Sequence, residues 1–130
     1  MTIRAIVEIV LRVADIDRAL AFYHDTLGLE LFSPPGLPGK FLRVGEKDGL
    51  PMQIVLVPGG QAAPAGIAAL AGLHHIGLEV EPADWQPLRD RLEAAGHATR
   101  DGAHPFMAVD AFYLDDPDGN EVEIATRRPA

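Results

Sequence analysis

The sequence predicts an α+β fold built from one module given twice, and three observations carry that reading. Glu8-Ile9-Val10-Leu11-Arg12-Val13 is echoed by His75-Ile76-Gly77-Leu78-Glu79-Val80. A helical stretch follows each of these segments and stops at a glycine, Gly28 and Gly96. Further on, Asp48-Gly49-Leu50-Pro51-Met52-Gln53-Ile54 is echoed by Asp118-Gly119-Asn120-Glu121-Val122-Glu123-Ile124. A period of about seventy residues in two copies does not suit a solenoid, whose repeats are shorter and more numerous. Two units closing on each other across a pseudo-twofold axis is the better expectation, because two weak half-sites then make one cavity.

The elements follow in order. Residues 6–13 alternate and are rich in β-branched side chains, as a strand is. Val7, Ile9, Leu11 and Val13 form its apolar face, and Glu8, Val10 and Arg12 its other face. Asp15 suits the N-cap of a helix that carries Ile16, Ala19, Leu20, Phe22, Tyr23 and Leu27 at helical spacing, with Gly28 just past its end. Strands are expected near 40–45 and 52–57, joined through a turn at Lys47-Asp48-Gly49. Residues 58–72 are rich in Gly, Ala and Pro and read as a linker, with room for a helical turn near Ile67 to Leu70. The second module begins with a strand at 74–80. A helix from Pro82 or Ala83 to Ala95 presents Trp85, Leu88 and Leu92 on one face. A loop with His97, His104 and Pro105 leads to a strand near 107–114, and the turn Asp115-Asp116-Pro117-Asp118-Gly119 reverses the chain into a last strand at 121–126. Strand, helix and at least two strands, twice over, means largely antiparallel sheets with helices on their apolar faces.

Composition narrows the function classes. The 130 residues, 48% of them apolar, form one domain with ample core. The absence of cysteine excludes a disulfide framework, a thiolate metal site and a Cys nucleophile. A net charge of −8 argues against nucleic acid, whose binding needs cationic surface. The same charge is compatible with a cationic ligand, a divalent metal or simple solubility. No apolar run approaches the roughly 18 residues of a membrane span, and no leader precedes the first strand, so a cytoplasmic setting is expected.

Strand parity selects the residues able to do chemistry. If each helix covers the apolar face of its sheet, the opposite face lines the shared cavity. That face holds Glu8, Val10 and Arg12 in the first strand, and Gln53, Val55 and Val57 in the strand at 52–57. In the second module it holds His75, Gly77 and Glu79, then Glu121, Glu123 and Ala125. Glu8, Gln53, His75 and Glu123 thus occupy matched places. One imidazole and two carboxylates, completed by Gln53 or water, suit a divalent ion. Each of the four alone is more commonly a solvated or hydrogen-bonded strand residue, and their coincidence under a repeat is what raises the metal reading. His24, His74, His97 and His104 read as surface or loop residues, His104 being the one placed to reach the cavity mouth. Val10, Val55, Val57 and either Phe112 or Tyr113 are candidates to line an apolar cup.

The segment from Glu8 to Leu31 (EIVLRVADIDRALAFYHDTLGLEL), with His74-His75-Ile76-Gly77-Leu78 and Asp116-Pro117-Asp118-Gly119-Asn120-Glu121-Val122-Glu123, resembles the vicinal oxygen chelate superfamily over essentially the whole chain. That group includes glyoxalase I, extradiol dioxygenases, methylmalonyl-CoA epimerase, and fosfomycin and bleomycin resistance proteins. The resemblance implies a single glyoxalase-like domain over 1–130: two βαβββ modules at about 4–58 and 73–127, a linker at about 59–72, a cup-shaped mixed sheet, and usually a homodimer. It places Glu8, His75 and Glu123 on ligand positions, and Arg12 where glyoxalase I binds the glutathione carboxylate. An ion pair with Glu8 is the plainer reading of Arg12. Glu8 stands where a His or Gln is usual, so the two-His-one-carboxylate set of ferrous dioxygenases is missing. For the remaining ligand, the internal repeat selects Gln53, whereas the family's strand pattern selects Val55.

The expectation is therefore a Lewis-acid enzyme of isomerase, lyase or epimerase type, holding one divalent ion (Ni, Co, Mn, Zn or Fe) and acting on a small carbonyl or oxyanion substrate. Glu8 or Glu123 serves as base, and Arg12, Val55, His104 and Tyr113 line the substrate. The competing expectation is a binding protein of the bleomycin-resistance type, which sequesters a small molecule without chemistry. A degenerate site on the same fold is the third.

Overall fold

The structure, a computed structural model, describes residues 6, 8–45, 50–60 and 73–128. The expected turn at 47–49, Val7 and the helical turn at 67–70 lie outside the described residues. The chain divides into two compact units, Met1–Ala62 and Ala63–Ala130.

In the first unit, β1 (Glu8–Arg12) leads into α1 (Ile16–Leu20), which widens into a π-helical segment at Ala21–Thr26. Asp15 caps α1 as expected, its Oδ1 accepting from the Arg18 backbone N–H at 3.1 Å. Gly28 takes a positive φ of 83° just past the helical stretch, a conformation that costs an L side chain about 1–2 kcal/mol. The strands β2 (Glu30–Leu31), β3 (Lys40–Arg43) and β4 (Gln53–Val57) complete a mixed sheet of order β1-β4-β3-β2, with β1 and β4 parallel. Alternation along β1 is as the parity argument requires: Leu11 is buried while Glu8, Val10 and Arg12 are exposed. Leu11, Val13, Leu42, Ile54 and Leu56 are buried, as are Ala19, Phe22 and Tyr23 of the helix. Each large apolar side chain so buried stabilises the unit by roughly 1.5–3 kcal/mol.

The second unit repeats the plan with β5 (Ile76–Glu79), α2 (Pro82–Ala94), β6 (Arg100–Gly102), β7 (Val109–Asp115) and β8 (Glu121–Arg127). Its sheet order is β5-β8-β7-β6, again with one parallel pair, β5 and β8. Leu88 and Leu92 of α2 are buried, and the Trp85 indole N–H reaches the Ile124 carbonyl at 3.4 Å. Ile76, Ala111, Phe112, Leu114, Val122 and Ile124 are the buried apolar residues of the sheet. The β7–β8 turn is tied by Asp116, whose Oδ1 accepts from the Asp118 and Asn120 N–H groups at 2.9 and 2.8 Å. The stretch expected to be loop between α2 and β7 contains β6, which completes the four strands of the expected βαβββ module.

Candidate functional site

Paired residues in a sheet put their side chains on the same face. In the second unit Gly77 and Tyr113 both pair with Glu123, and Asp115 pairs with Glu121. The face turned away from the buried apolar residues therefore carries Glu121, Glu123 and Tyr113 side by side, with His75 just before β5. Glu123 is nearly buried while His75 is one-third exposed, and Nε2 of His75 lies 2.9 Å from Oε2 of Glu123. Gly77, opposite Glu123, leaves a gap above the carboxylate that a Cβ would occupy at 3.7 Å. Gly102 is required for a different reason: a Cβ there would overlap the Tyr113 ring, which lies across β6.

A carboxylate only accepts hydrogen bonds, so Nε2 of His75 carries the proton that faces Glu123. In the neutral ring Nδ1 is then an acceptor, and it faces Nδ1 of His74 at 2.7 Å. Burial raises the Tyr113 pKa, and the charge of Glu123, its hydrogen bond to Tyr113, and the charge of Glu121 add to that effect. Tyr113 is thus a neutral phenol at physiological pH. Its ring also stands edge-on to His75, with centroids 5.8 Å apart.

The same face borders a cavity of about 360 Å³ whose walls include Gly77, Glu79, His104, Met107, Val109 and Glu123. That volume accommodates a small organic molecule. His104 reaches this cavity, as its sequence position suggested. Its Nδ1 accepts from the Phe106 and Met107 backbone N–H groups at 3.2 and 2.9 Å, which also makes it the device that shapes the loop. Tyr113, not Phe112, is the aromatic on the site face, because Phe112 is fully buried beside Trp85.

In the first unit Glu8 pairs with Gln53, Val10 with Val55 and Arg12 with Val57, so all six share one face. Glu8 and Arg12 are exposed, Gln53 is half-buried and Val55 is 2% exposed. The register also bears on the choice between Gln53 and Val55. The Val13 N–H bonds the Val57 carbonyl at 2.8 Å, and in the other unit the Val80 N–H bonds the Ala125 carbonyl at 2.9 Å. Val57 therefore corresponds to Ala125, Val55 to Glu123 and Gln53 to Glu121. The Asp-Gly echo in the sequence is two residues out of step with the ladder. By register, the first module presents an apolar side chain where the second presents Glu123.

Two residues outside the expected ligand set join the site: His74, read as a surface or loop residue, and Glu121, placed on the cavity face without a role of its own. Ligand atoms of His74, His75 and Glu121 all lie within 4.8 Å of one another, the group among the described residues able to hold an ion. The signals were the His74-His75 doublet and the Glu121-Val122-Glu123 alternation. His74 read as a surface or loop residue, and within a strand alternation would put it on the face opposite His75. That rule lapses here, as β5 starts only at Ile76.

Comparison with known proteins agrees with this architecture. No curated protein matches the chain. Among solved structures, a glyoxalase/dioxygenase from Nostoc punctiforme superposes with a TM-score of 0.77 at 19% identity, covering 98% of this chain and 94% of that one. The fosfomycin resistance protein FosX of Listeria monocytogenes gives a TM-score of 0.68 at 16% identity, covering 98% and 95%. TnmS3, an antibiotic-binding protein from a Streptomyces species, gives 0.64 at 28% identity, covering 98% and 99%. The model of one family matches residues 5–124, nearly the full length. Repeat, sheet order and sequence pattern lead to the same place, and the chain belongs to the glyoxalase/bleomycin resistance protein/dioxygenase superfamily.

Proposed function

We propose that this protein is a divalent-metal Lewis-acid enzyme acting on a small carbonyl or oxyanion substrate, of isomerase, lyase or epimerase type. The observation that carries the reading is the His75–Glu123 pair, 2.9 Å apart on the wall of a cavity. Nitrogen and oxygen donors at about 2.0–2.2 Å from one ion stand at such a separation from each other, so the pair fits a metal. His75 and Glu123 would hold the ion; Ni, Co, Mn, Zn and Fe all accept this donor type. Glu8 is proposed as the first module's ligand or base. Gln53 remains a candidate on its amide oxygen alone, and Val55 on register is assigned to the apolar lining.

A bound ion would supply Lewis acidity toward a carbonyl or phosphonyl oxygen. The chain's own groups do the rest. Glu123, nearly buried, is placed to accept a proton from a carbon next to that oxygen. Tyr113, held as a phenol, donates toward Glu123. Met107, Val109 and Gly77 shape the apolar part of the wall, and His104 and Arg12 are proposed as polar contacts to substrate. A homodimer in the cytoplasm belongs to the same reading, by likeness to the superfamily.

The second reading is sequestration of a small molecule without chemistry. The 28% identity to an antibiotic-binding protein favours it, as does Met107, an apolar side chain on the cavity wall that is 50% exposed. Elemental analysis of purified protein, beside Glu8→Ala, His75→Ala and Glu123→Ala, tests the first reading. About one equivalent of transition metal in the parent, with less than a tenth of it in His75→Ala and Glu123→Ala, is the expected result. A parent that ignores added Mn, Ni, Co and Zn sinks the enzyme reading and leaves the binder.

A further inference from the structure

The proposed function uses Glu8 and Gln53 on the open face of the first unit's sheet and leaves a third member of their row without a role. We propose that Arg43 is a bidentate anchor for a carboxylate on that face, so that the substrate is a small carbonyl compound carrying a carboxylate. The reacting end of that substrate rests on the reading above; the anchor itself does not.

The register of the sheet puts Arg43 there. Glu8 pairs with Gln53, Gln53 with Arg43 and Arg43 with Glu30, so these four form one polar row across all four strands. The next row on the same face is apolar, with Val10, Val55 and Phe41. Arg43 is half-buried, and its guanidinium carbon stands 4.9 Å from the centre of the Phe32 ring, a cation–π contact that holds it in place. Oε2 of Glu30 lies 3.2 Å from Nε, yet Nε is buried and makes no hydrogen bond, so the two are misaligned. Among the described residues, no hydrogen-bond acceptor meets the two terminal NH2 groups either. Arg100 and Arg127 differ in this, since each meets two carboxylates. Held against a ring with its fork unspent, Arg43 is preorganised for a ligand.

Charge and geometry select the ligand. Glu8 and Glu30 stand at the two ends of the row, so the row is acidic overall and offers an anion no long-range attraction. Direct charge-assisted hydrogen bonds have to hold it. Two parallel N–H donors of a guanidinium match the two coplanar oxygens of a carboxylate, and the Gln53 amide adjoins them as a further donor. The carbon skeleton of the ligand then lies over Val55 and Phe41. Strands are about 4.8 Å apart, so Arg43 and Glu8, two strands away, are about 10 Å apart at the backbone. Two long side chains and a substrate of a few carbons fill that distance together, which brings the reacting carbon within reach of Glu8.

The probe is benzoate, with benzamide as its uncharged isostere, titrated into isotope-labelled intact protein and followed by NMR chemical shifts. In the parent, benzoate should move the Arg43, Gln53 and Phe41 signals, and benzamide should bind at least tenfold more weakly. Arg43→Gln should weaken benzoate at least tenfold, and Arg43→Lys nearly as much, because the charge returns without the fork. Glu30→Gln removes the competing carboxylate at an exposed position and should tighten benzoate several-fold. That variant reads the same anchor even where circular dichroism shows an Arg43 variant to be misfolded. Parent-like affinity in Arg43→Gln, equal affinity for benzamide, or no gain in Glu30→Gln overturns the anchor. His75→Ala separates the two proposals, since benzoate affinity should be unchanged there. Loss in His75→Ala with retention in Arg43→Gln puts the anion on the metal, which overturns the anchor and leaves the proposed function standing. A parent that takes up no metal and still binds benzoate through Arg43 overturns the proposed function and leaves the anchor.

Discussion

At the scale of single residues, the second module's site is a set of mutual constraints around Glu123. Its carboxylate meets His75 on one side and Tyr113 on another, and Gly77 keeps the space before it clear. Burial first, then the negative charge beside it, raises the Tyr113 pKa, and this has a sign to check. A group whose folded pKa is raised adds stability that is fully present below its unfolded value, near 10, and disappears as pH rises through the folded value. Metal-free protein should therefore show one tyrosine ionising later than a model phenol by absorbance at 295 nm, with stability falling across that window. Glu123→Gln should bring that titration back toward the ordinary range; an unmoved titration means Glu123 is not the cause. Gly102 gives a sharper steric test. Gly102→Ala should destabilise by about 1–3 kcal/mol in urea unfolding, since a methyl group cannot share space with the Tyr113 ring. In the double variant Gly102→Ala/Tyr113→Ala most of that extra cost should vanish, and simple additivity of the two losses would contradict the overlap. Strand parity and the internal repeat pointed to His75 and Glu123. The face taken by Tyr113 rather than Phe112, and the entry of His74, depended on where each strand begins, which alternation does not specify.

At the scale of elements, what was legible followed the strength of the periodic signal. Strands β1, β4, β5, β7 and β8 are β-branched or strictly alternating, and each lies within a few residues of its expected place. The Asp15 cap and the glycine stops Gly28 and Gly96 are equally local signals; both glycines adopt the positive φ that such stops use. β2 and β6 went unread because they carry no pattern: Glu30-Leu31 is too short to alternate, and Arg100-Asp101-Gly102 has no apolar residue. They exist because β3 and β7 offer them unpaired backbone, a tertiary cause. The π widening of the first helix is likewise without a signature in the residues. The β7–β8 turn was legible and is also testable. Asp116 accepts from two backbone N–H groups and from the Asn120 amide at 2.9 Å, so one side chain sets the register of the hairpin that bears Glu123. Asp116→Ala should cost on the order of 2–3 kcal/mol in chemical denaturation, because three hydrogen bonds to one charged group disappear. A loss below about 0.5 kcal/mol would mean that the strands, and not the turn, hold that register.

At the scale of the whole molecule, duplication explains why fold and function were unequally readable. Two copies of a strand–helix–strand plan are visible as a repeat because packing demands the same apolar pattern twice. Chemistry makes no such demand, and the copies have diverged in it: His75 and Glu123 in one module answer to Glu8 and Val55 in the other. A repeat aligned on its turn motif is two residues out of step with the correspondence that the ladder gives. The chain's net charge of −8 bears on what such a site can hold. An acidic molecule raises the local concentration of cations, an effect screened over about 10 Å at 0.1 M salt, so metal affinity should weaken as ionic strength rises. Binding that is specific to the folded state must also appear as stability. An ion present at a hundred times its Kd stabilises by about 2.7 kcal/mol, a rise in Tm on the order of 10 °C for a chain of this size. Thermal unfolding with added Ni²⁺, Co²⁺ or Mn²⁺ should show that rise in the parent and lose it in His75→Ala, since the proposed metal site needs that ring. The binder reading predicts the opposite pattern: no response to metals, and a rise with an apolar cation that His75→Ala preserves. A rise with metal that persists in His75→Ala would assign the ion to carboxylates elsewhere on the acidic surface and remove the proposed metal site.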